Sequence, residues 1–333
     1  MDNLGIVNKK IKPVSVSKTA SQPAKDPYLG TAWPTLSIAV AIIAVSFASI
    51  LIKWSGAHPL MISFYRLLFT LFLLIPFAAT TMRKELKETP LEGKEAAMLL
   101  GVGVVLACHF ALWVTSLTMT TVASSVLLVT FHPVFVGIVG VYFLKERLSK
   151  INLLGMSIAF VGTFVLLYGD FTASNGSSGS NPGLGDLLAF LGGLAAGGYI
   201  LAGRYFRRTR GLITYVFMVY LGCTVTLLVM CIVANLAAGV PFVYPPKEYL
   251  LFLLMALGPG IFGHTVYNWA LKYVKATLVS VSLLGEPIGA SILAFFLLAQ
   301  VPTSLTLIGG VGILIGIYLT AYGMADKKAV GTM

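Results

Sequence analysis

A chain of 333 residues that is 57% hydrophobic, with a mean hydropathy of +0.91, carries more apolar surface than a soluble core of that size can hide. Only 11% of it is charged, against about 25% in an ordinary soluble domain, so a bilayer is its natural solvent. The net charge of +11 then reads as topogenic charge in loops and not as a nucleic-acid surface.

Residues 1–33 hold Lys9, Lys10, Lys12, Lys18 and Lys25 among Ser, Thr and Pro. No apolar core with a small-residue cleavage site appears, so a disordered cytosolic tail is expected and not a signal peptide. Apolar runs follow at Thr35–Ile52, Leu60–Thr80, Ala96–Thr115, Val122–Leu144 and Asn152–Tyr168. A second set lies at Leu187–Gly203, Leu212–Leu236, Tyr249–Trp269, Thr277–Ala299 and Leu305–Tyr322. Each is close to the ~20 residues that cross the hydrocarbon core. None alternates like a membrane β-strand. The expected fold is an all-α integral membrane protein of ten transmembrane helices.

The basic residues orient this plan. With the N-terminus in the cytosol, the inside holds the tail lysines, Arg83, Lys84, Lys87, Lys94, Lys145, Arg147 and Lys150. It also holds Arg204, Arg207, Arg208, Arg210, Lys272, Lys275, Lys327 and Lys328. Outside stand only Lys53 and Lys247, while Arg66 lies within a span. One missed helix would invert every later loop, so the asymmetry supports the span count and places both termini inside.

The chain also repeats. At an offset of 154, Leu117 matches Leu271, Pro133 matches Pro287, Gly155 matches Gly309, Gly162 matches Gly316, and Tyr168-Gly169 matches Tyr322-Gly323. At an offset of 155, Gly103 matches Gly258 and His109 matches His264. Each half holds five spans, so the two halves insert in opposite directions. The charges agree: Lys145 and Arg147 are paired with the uncharged Ala299 and Val301, and Lys272 and Lys275 with Thr118 and Thr121. Inverted repeats of this kind typify secondary transporters.

Further motifs stand on this plan. They are Phe64-Tyr65-Arg66 in span two, Leu144-Lys145-Glu146-Arg147-Leu148-Ser149 after span four, Gly185-Asp186-Leu187-Leu188 opening span six, and Glu286-Pro287 in span nine. Together, over residues 34 to 323, the chain resembles the drug/metabolite transporter superfamily, EamA type. It departs from the family's Gly-Glu turn, with Lys145-Glu146 in the first half and Ala299-Gln300 in the second. The resemblance implies a bacterial or archaeal inner-membrane carrier of small metabolites, often amino acids, frequently an exporter. The expected organisation is a tail (1–33), a first repeat (34–169), an extracytoplasmic linker (170–184), a second repeat (185–323) and a cytosolic tail (324–333).

Ionisable groups within a bilayer are costly, so Arg66, His109, His132, His264 and Glu286 are the candidates for substrate binding or coupling. His132 and Glu286 are repeat partners, as are His109 and His264, which suggests a shared central cavity. For the histidines, interhelical hydrogen bonding is the alternative. Arg66 either snorkels to the headgroups or binds a substrate carboxylate. Asp186 is expected to cap span six. Pro133, Pro287 and Pro259 are expected to kink their helices. Freed carbonyls beside Asn268 and aromatic walls from Trp113, Tyr267 and Trp269 would then line the cavity, unless those rings are interfacial anchors.

Cys108, Cys223 and Cys231 lie singly in apolar runs, with no metal-ligand spacing. No phosphate-binding loop, zinc motif or nucleophile elbow is present, so neither cofactor nor metal is expected. Intramembrane catalysis and a channel stand as the weaker alternatives, as does a carrier of sugars, amines or drugs. The expected partners are a small-molecule substrate and the lipid bilayer. No nucleic-acid partner is expected, and a homodimer is among the states the sequence allows.

Overall fold

The computed structural model describes residues 33–144, 149–172, 179–207, 209–270 and 284–330. The tail 1–32, most of the 144–149 turn motif and the Lys272/Lys275 loop lie outside the described residues. Every regular element among the described residues is helical. In chain order these are α1 (Trp33–Trp54), α2 (Pro59–Phe77), α3 (Arg83–Glu88), α4 (Gly93–Met119), α5 (Val122–Val129), α6 (His132–Leu144) and α7 (Lys150–Thr172). Then follow α8 (Pro182–Phe206), α9 (Leu212–Ala238), α10 (Pro246–Met255), α11 (Val266–Ala270), α12 (Gly285–Leu298) and α13 (Ser304–Val330). Among the described residues, six helical stretches are long and apolar enough to cross a membrane: Leu36–Trp54, Pro59–Glu88, Gly93–Met119, Lys150–Thr172, Pro182–Gly203 and Leu212–Ala238. Shorter apolar helices accompany them.

The prolines break helices more than they bend them. Pro133 is the second residue of α6, where its missing N–H has no helical partner to lose. The expected kink in span four is therefore a full break between α5 and α6 at Thr130–Phe131. Thr121 starts α5, its hydroxyl accepting from the Ser124 N–H at 3.1 Å, and all eight residues of that helix are buried. Pro259 sits inside a wide π-helical segment, Ala256–Thr265, that joins α10 to α11. Pro287 falls in the first turn of α12, so it too begins a helix. Pro76, near the end of α2, precedes a second π segment at Ala78–Met82 that leads into α3. π-helical segments commonly absorb a disrupted hydrogen-bond ladder.

A close crossing joins α7 to α13 through glycines. A Cβ on Gly155 would lie 2.7 Å from the Gly316 carbonyl oxygen, and one on Gly162 would lie 2.7 Å from the Gly309 carbonyl oxygen. Numbers rise along α7 as they fall along α13, so the two helices run antiparallel. Elsewhere α4 packs on α8 and α9, α2 on α9 and α10, α1 on α12 and the 256–265 segment, and α5 on α8 and α12.

Loops gather at two ends. At one, which we call the Lys53 end, Lys53 Nζ donates to the Thr120 carbonyl (3.2 Å), and the Val122 N–H donates to Gln300 Oε1 (3.0 Å). The Ala299-Gln300 turn thus helps to cap α5. At the other, the Arg210 end, Arg210 grips Glu95 with Nε (2.7 Å) and Nη2 (2.5 Å), and its Nη1 donates to the Thr89 carbonyl (2.7 Å).

Candidate functional site

Arg66 is the centre of the interior cluster. It lies on α2 with only 2% of its surface exposed, so the snorkelling reading fails. Its guanidinium carbon stands 4.6 Å from the Phe110 ring centroid and 5.9 Å from that of Trp113, both on α4. Such desolvated cation–π contacts are worth about 2 kcal/mol. Nη1 of Arg66 has no hydrogen-bond partner, which in a buried site costs on the order of 1–3 kcal/mol. Glu286, on α12, is the carboxylate within electrostatic reach of this guanidinium. Tyr220, on α9, also faces it.

The histidines divide between the two roles expected of them. His109 Nδ1 lies 2.9 Å from the Gly192 carbonyl on α8. A carbonyl only accepts, so Nδ1 carries the proton and the ring is locked to its neighbour helix. That ring also stacks nearly parallel on Trp113, with centroids 6.0 Å apart. His264, in the π segment, meets the edge of Phe110 at 6.5 Å and lies within reach of both Arg66 and His109. His132 approaches the Val129 carbonyl at 3.3 Å, across the α5–α6 break, and is coupled to His109. All three rings and Glu286 are half-buried, in contrast to Arg66.

Trp113 is 3% and Tyr267 6% exposed, so neither is an interfacial anchor. Trp113 Nε1 and the Tyr267 hydroxyl both lack hydrogen-bond partners, and Glu286 acts on Tyr267. Trp269 packs with Tyr267 against a small cluster around Ile38, Ala41 and Val45 on α1. The side chain of Asn268 lies outside the described residues. Phe110 and Tyr220 were not singled out from the sequence. Tyr220 had a signal: the offset of 154 carries Arg66 onto it.

Asp186 is placed differently from its expectation. The N-cap of α8 is Asn181, whose Oδ1 accepts from the Leu184 N–H at 3.4 Å. Asp186 lies inside the helix, 1% exposed, and accepts from the Thr120 hydroxyl at 2.7 Å. No group of three or more His, Cys, Asp or Glu side chains able to hold a metal occurs among the described residues.

A bundle of apolar membrane-length helices enclosing a cationic, aromatic-walled interior defines a multi-pass membrane protein of the transporter kind. The EamA-like transporter family matches the chain twice, over residues 32–168 and 183–322, and the chain belongs to that family. It is 25% identical over 295 residues to the "Uncharacterized transporter YdfC" of Bacillus subtilis (strain 168), covering 85% of this chain and 89% of that one. It is 28% identical over 290 residues to an "Uncharacterized transporter" of Archaeoglobus fulgidus, covering 86% and 95%. A solved structure titled "Crystal structure of protein" shares the fold with a TM-score of 0.58 at 19% identity, over 89% of this chain and 99% of the other. These names indicate a membrane transporter and not an enzyme.

Proposed function

We propose that the protein is a secondary carrier that moves a small zwitterionic metabolite of the amino-acid class out across the cytoplasmic membrane by alternating access. The carrying observation is Arg66: a buried guanidinium under an aromatic wall, with a free Nη1 and a carboxylate, Glu286, within its reach. A substrate carboxylate fits the guanidinium fork. A substrate ammonium fits Glu286 and the faces of Phe110 and Trp113. Uncharged substrates such as sugars would leave both charges unanswered.

Ten spans in two inverted halves, with both termini cytoplasmic, is the architecture this reading needs. Its support is the exchange of contacts between repeat partners. Gly155 meets Gly316 and Gly162 meets Gly309, and each pair becomes the other when every residue is replaced by its repeat partner. The packing of α4 on α8 likewise corresponds to that of the 256–265 segment on α1, and α6 on α8 to α12 on α1. Such self-complementary contacts are those of a two-fold axis. Two related halves that can trade conformations give alternating access.

The test is flux in proteoliposomes, screened over amino acids, amines and sugars, with and without a pH gradient. Arg66→Lys keeps the charge but loses the fork, and should raise KM for a carboxylate substrate. Glu286→Gln should abolish flux of the zwitterion. Unchanged flux in both variants would sink the assignment. Equal flux with and without the gradient would make the protein a facilitator.

A further inference from the structure

A second buried carboxylate stands apart from the Arg66 centre, at the Lys53 end of the bundle. Asp170, near the end of α7, is 2% exposed, and Asp186, near the start of α8, is 1% exposed. The two carboxyl groups act on each other, and their donors Thr120 and Ser124 lie one helical turn apart at the start of α5. Both Asp170 oxygens are supplied by hydroxyl donors. Thr306 of α13 donates to Oδ1 at 2.8 Å, and Ser124 of α5 donates to Oδ2. Oδ1 of Asp186 is supplied by Thr120 at 2.7 Å. Oδ2 of Asp186 receives no donor among the described residues. Four helices converge on this point: α5, α7, α8 and α13.

The donor count is one short. Two ionised carboxyls are acceptors only, so a direct meeting between them has no hydrogen to share. Two like charges this deeply buried also cannot both persist without a cation. Among the described residues, none is seen to supply one to Asp186. Among the described residues, the ionisable group that acts on Asp186 is Asp170 alone. α5 contains no ionisable residue. On α4, Lys94 and Glu95 lie at the opposite end, and His109 is held by Gly192. On α6, His132 faces His109. On α13, Asp326, Lys327 and Lys328 stand at the far terminus. Lys53 of α1, at the same end, is spent on the Thr120 carbonyl.

We propose that Asp170 and Asp186 form an acid–carboxylate pair that binds one proton, a site separate from the Arg66–Glu286 centre, and that this proton latches α7 to α8 at the Lys53 end. The proton sits on Oδ2 of Asp186 and is donated to the Asp170 carboxylate, which completes the donor count. A cavity of about 400 Å³ lined by Lys53, Thr120, Thr121 and Gln300 opens at the same end. It reaches Thr120, the residue bonded to Asp186, so water there can deliver and receive the proton. When the proton leaves, both carboxyls are charged, the bond between them is lost and the two helix ends repel. A role for this opening in transport rests on the carrier reading above, but the proton site itself does not.

The experiment is infrared spectroscopy of the full-length protein in lipid nanodiscs at neutral pH, comparing light and heavy water. The wild type should show a protonated carboxylic C=O band that shifts on deuteration. Asp186→Asn and Asp170→Asn should each lose one such band. Either variant retains an amide N–H to bridge to the remaining carboxylate, so neither should melt below the wild type, and one folded variant suffices for the reading. Glu286→Gln should leave this band in place even where it abolishes flux, which separates failure of this site from failure of the central one. No such band in the wild type, or a band unchanged in both Asp→Asn variants, would overturn the proposal. So would a melting temperature raised by sodium over potassium in the wild type but not in Asp186→Asn, since the pair would then hold a metal cation.

Discussion

The α7–α13 crossing makes Gly162→Ala a sharp test of the helix packing. A Cβ there would lie 2.7 Å from the Gly309 carbonyl oxygen, 2.7 Å from the Ile313 amide nitrogen and 3.0 Å from the Gly312 carbonyl carbon. Ordinary carbon contacts need about 3.5–4.0 Å. All three obstacles are backbone atoms of one helix, so no side chain can swing aside and α13 must retreat by on the order of 1 Å. Overpacking of this kind costs about 1–3 kcal/mol. Against it stands the helix preference of Ala over Gly, about 0.8–1.0 kcal/mol. The control is Gly101→Ala on α4, where the added Cβ meets nothing within 4 Å. There only the favourable preference remains, so one chemical change should have opposite signs at two helix positions. The assay is thermal unfolding followed by a thiol-reactive fluorogenic dye, because Cys223 and Cys231 are buried free thiols that label only on opening. Gly162→Ala should melt below the wild type and Gly101→Ala at or above it. A Gly162→Ala protein as stable as the wild type would refute the close crossing.

Other substitutions probe separate parts. Ala299 ends α12 in a left-handed conformation at φ 51°, which costs a residue with a Cβ roughly 1 kcal/mol or more, so Ala299→Gly should raise the melting temperature. Arg210→Ala removes a bidentate grip on Glu95 and two carbonyl bonds from a side chain only 5% exposed. A loss of about 3 kcal/mol is expected in the same melting assay, with Arg210→Lys recovering only part. Phe110→Leu takes the ring from beneath Arg66 and should cost about 2 kcal/mol. His58 caps α2 by accepting the Leu60 N–H on Nδ1 at 3.3 Å, which needs a neutral ring, and burial holds its pKa below the ordinary 6.5. Its contribution is therefore complete above pH 6.5 and fades as pH falls through the lower folded value. A His58→Asn variant should keep the cap and lose that pH dependence.

Much of the helix plan is legible in the sequence because apolar run length is a one-dimensional signal. The runs Thr35–Ile52, Asn152–Tyr168 and Leu212–Leu236 each lie within a single observed helix, α1, α7 and α9. The ends are less legible, and the error matters. Ending span five at Tyr168 assigned Asp170 to a linker, although α7 runs on to Thr172 and buries that carboxyl. Hydropathy falls wherever a charge occurs, so a buried acid near a helix end is read as loop. The prolines show a second limit. Pro133 disturbs a helix wherever it falls, but only the register of the break decides whether it bends one helix or starts another, and that depends on what α8 and α12 offer α5.

The repeat carries more information about the interior than residue type alone. Extending the offset of 154 to span two pairs Arg66 with Tyr220, and the structure brings these two residues within electrostatic reach of each other, on the packed helices α2 and α9. Both are on helices that pack on their own repeat partner, where a two-fold axis would bring equivalent positions together. Duplication therefore preserves where the interior positions lie, while divergence has changed what stands in them. Arginine stands opposite tyrosine, and His132 corresponds to Glu286. A strictly symmetric interior would present two like charges or none. The divergence leaves one fixed cation and one carboxylate within reach of each other, so the interior is polarised, with a positive and a negative pole. On the carrier reading proposed above, that polarity, and not the symmetry that preceded it, would suit a substrate carrying both charges.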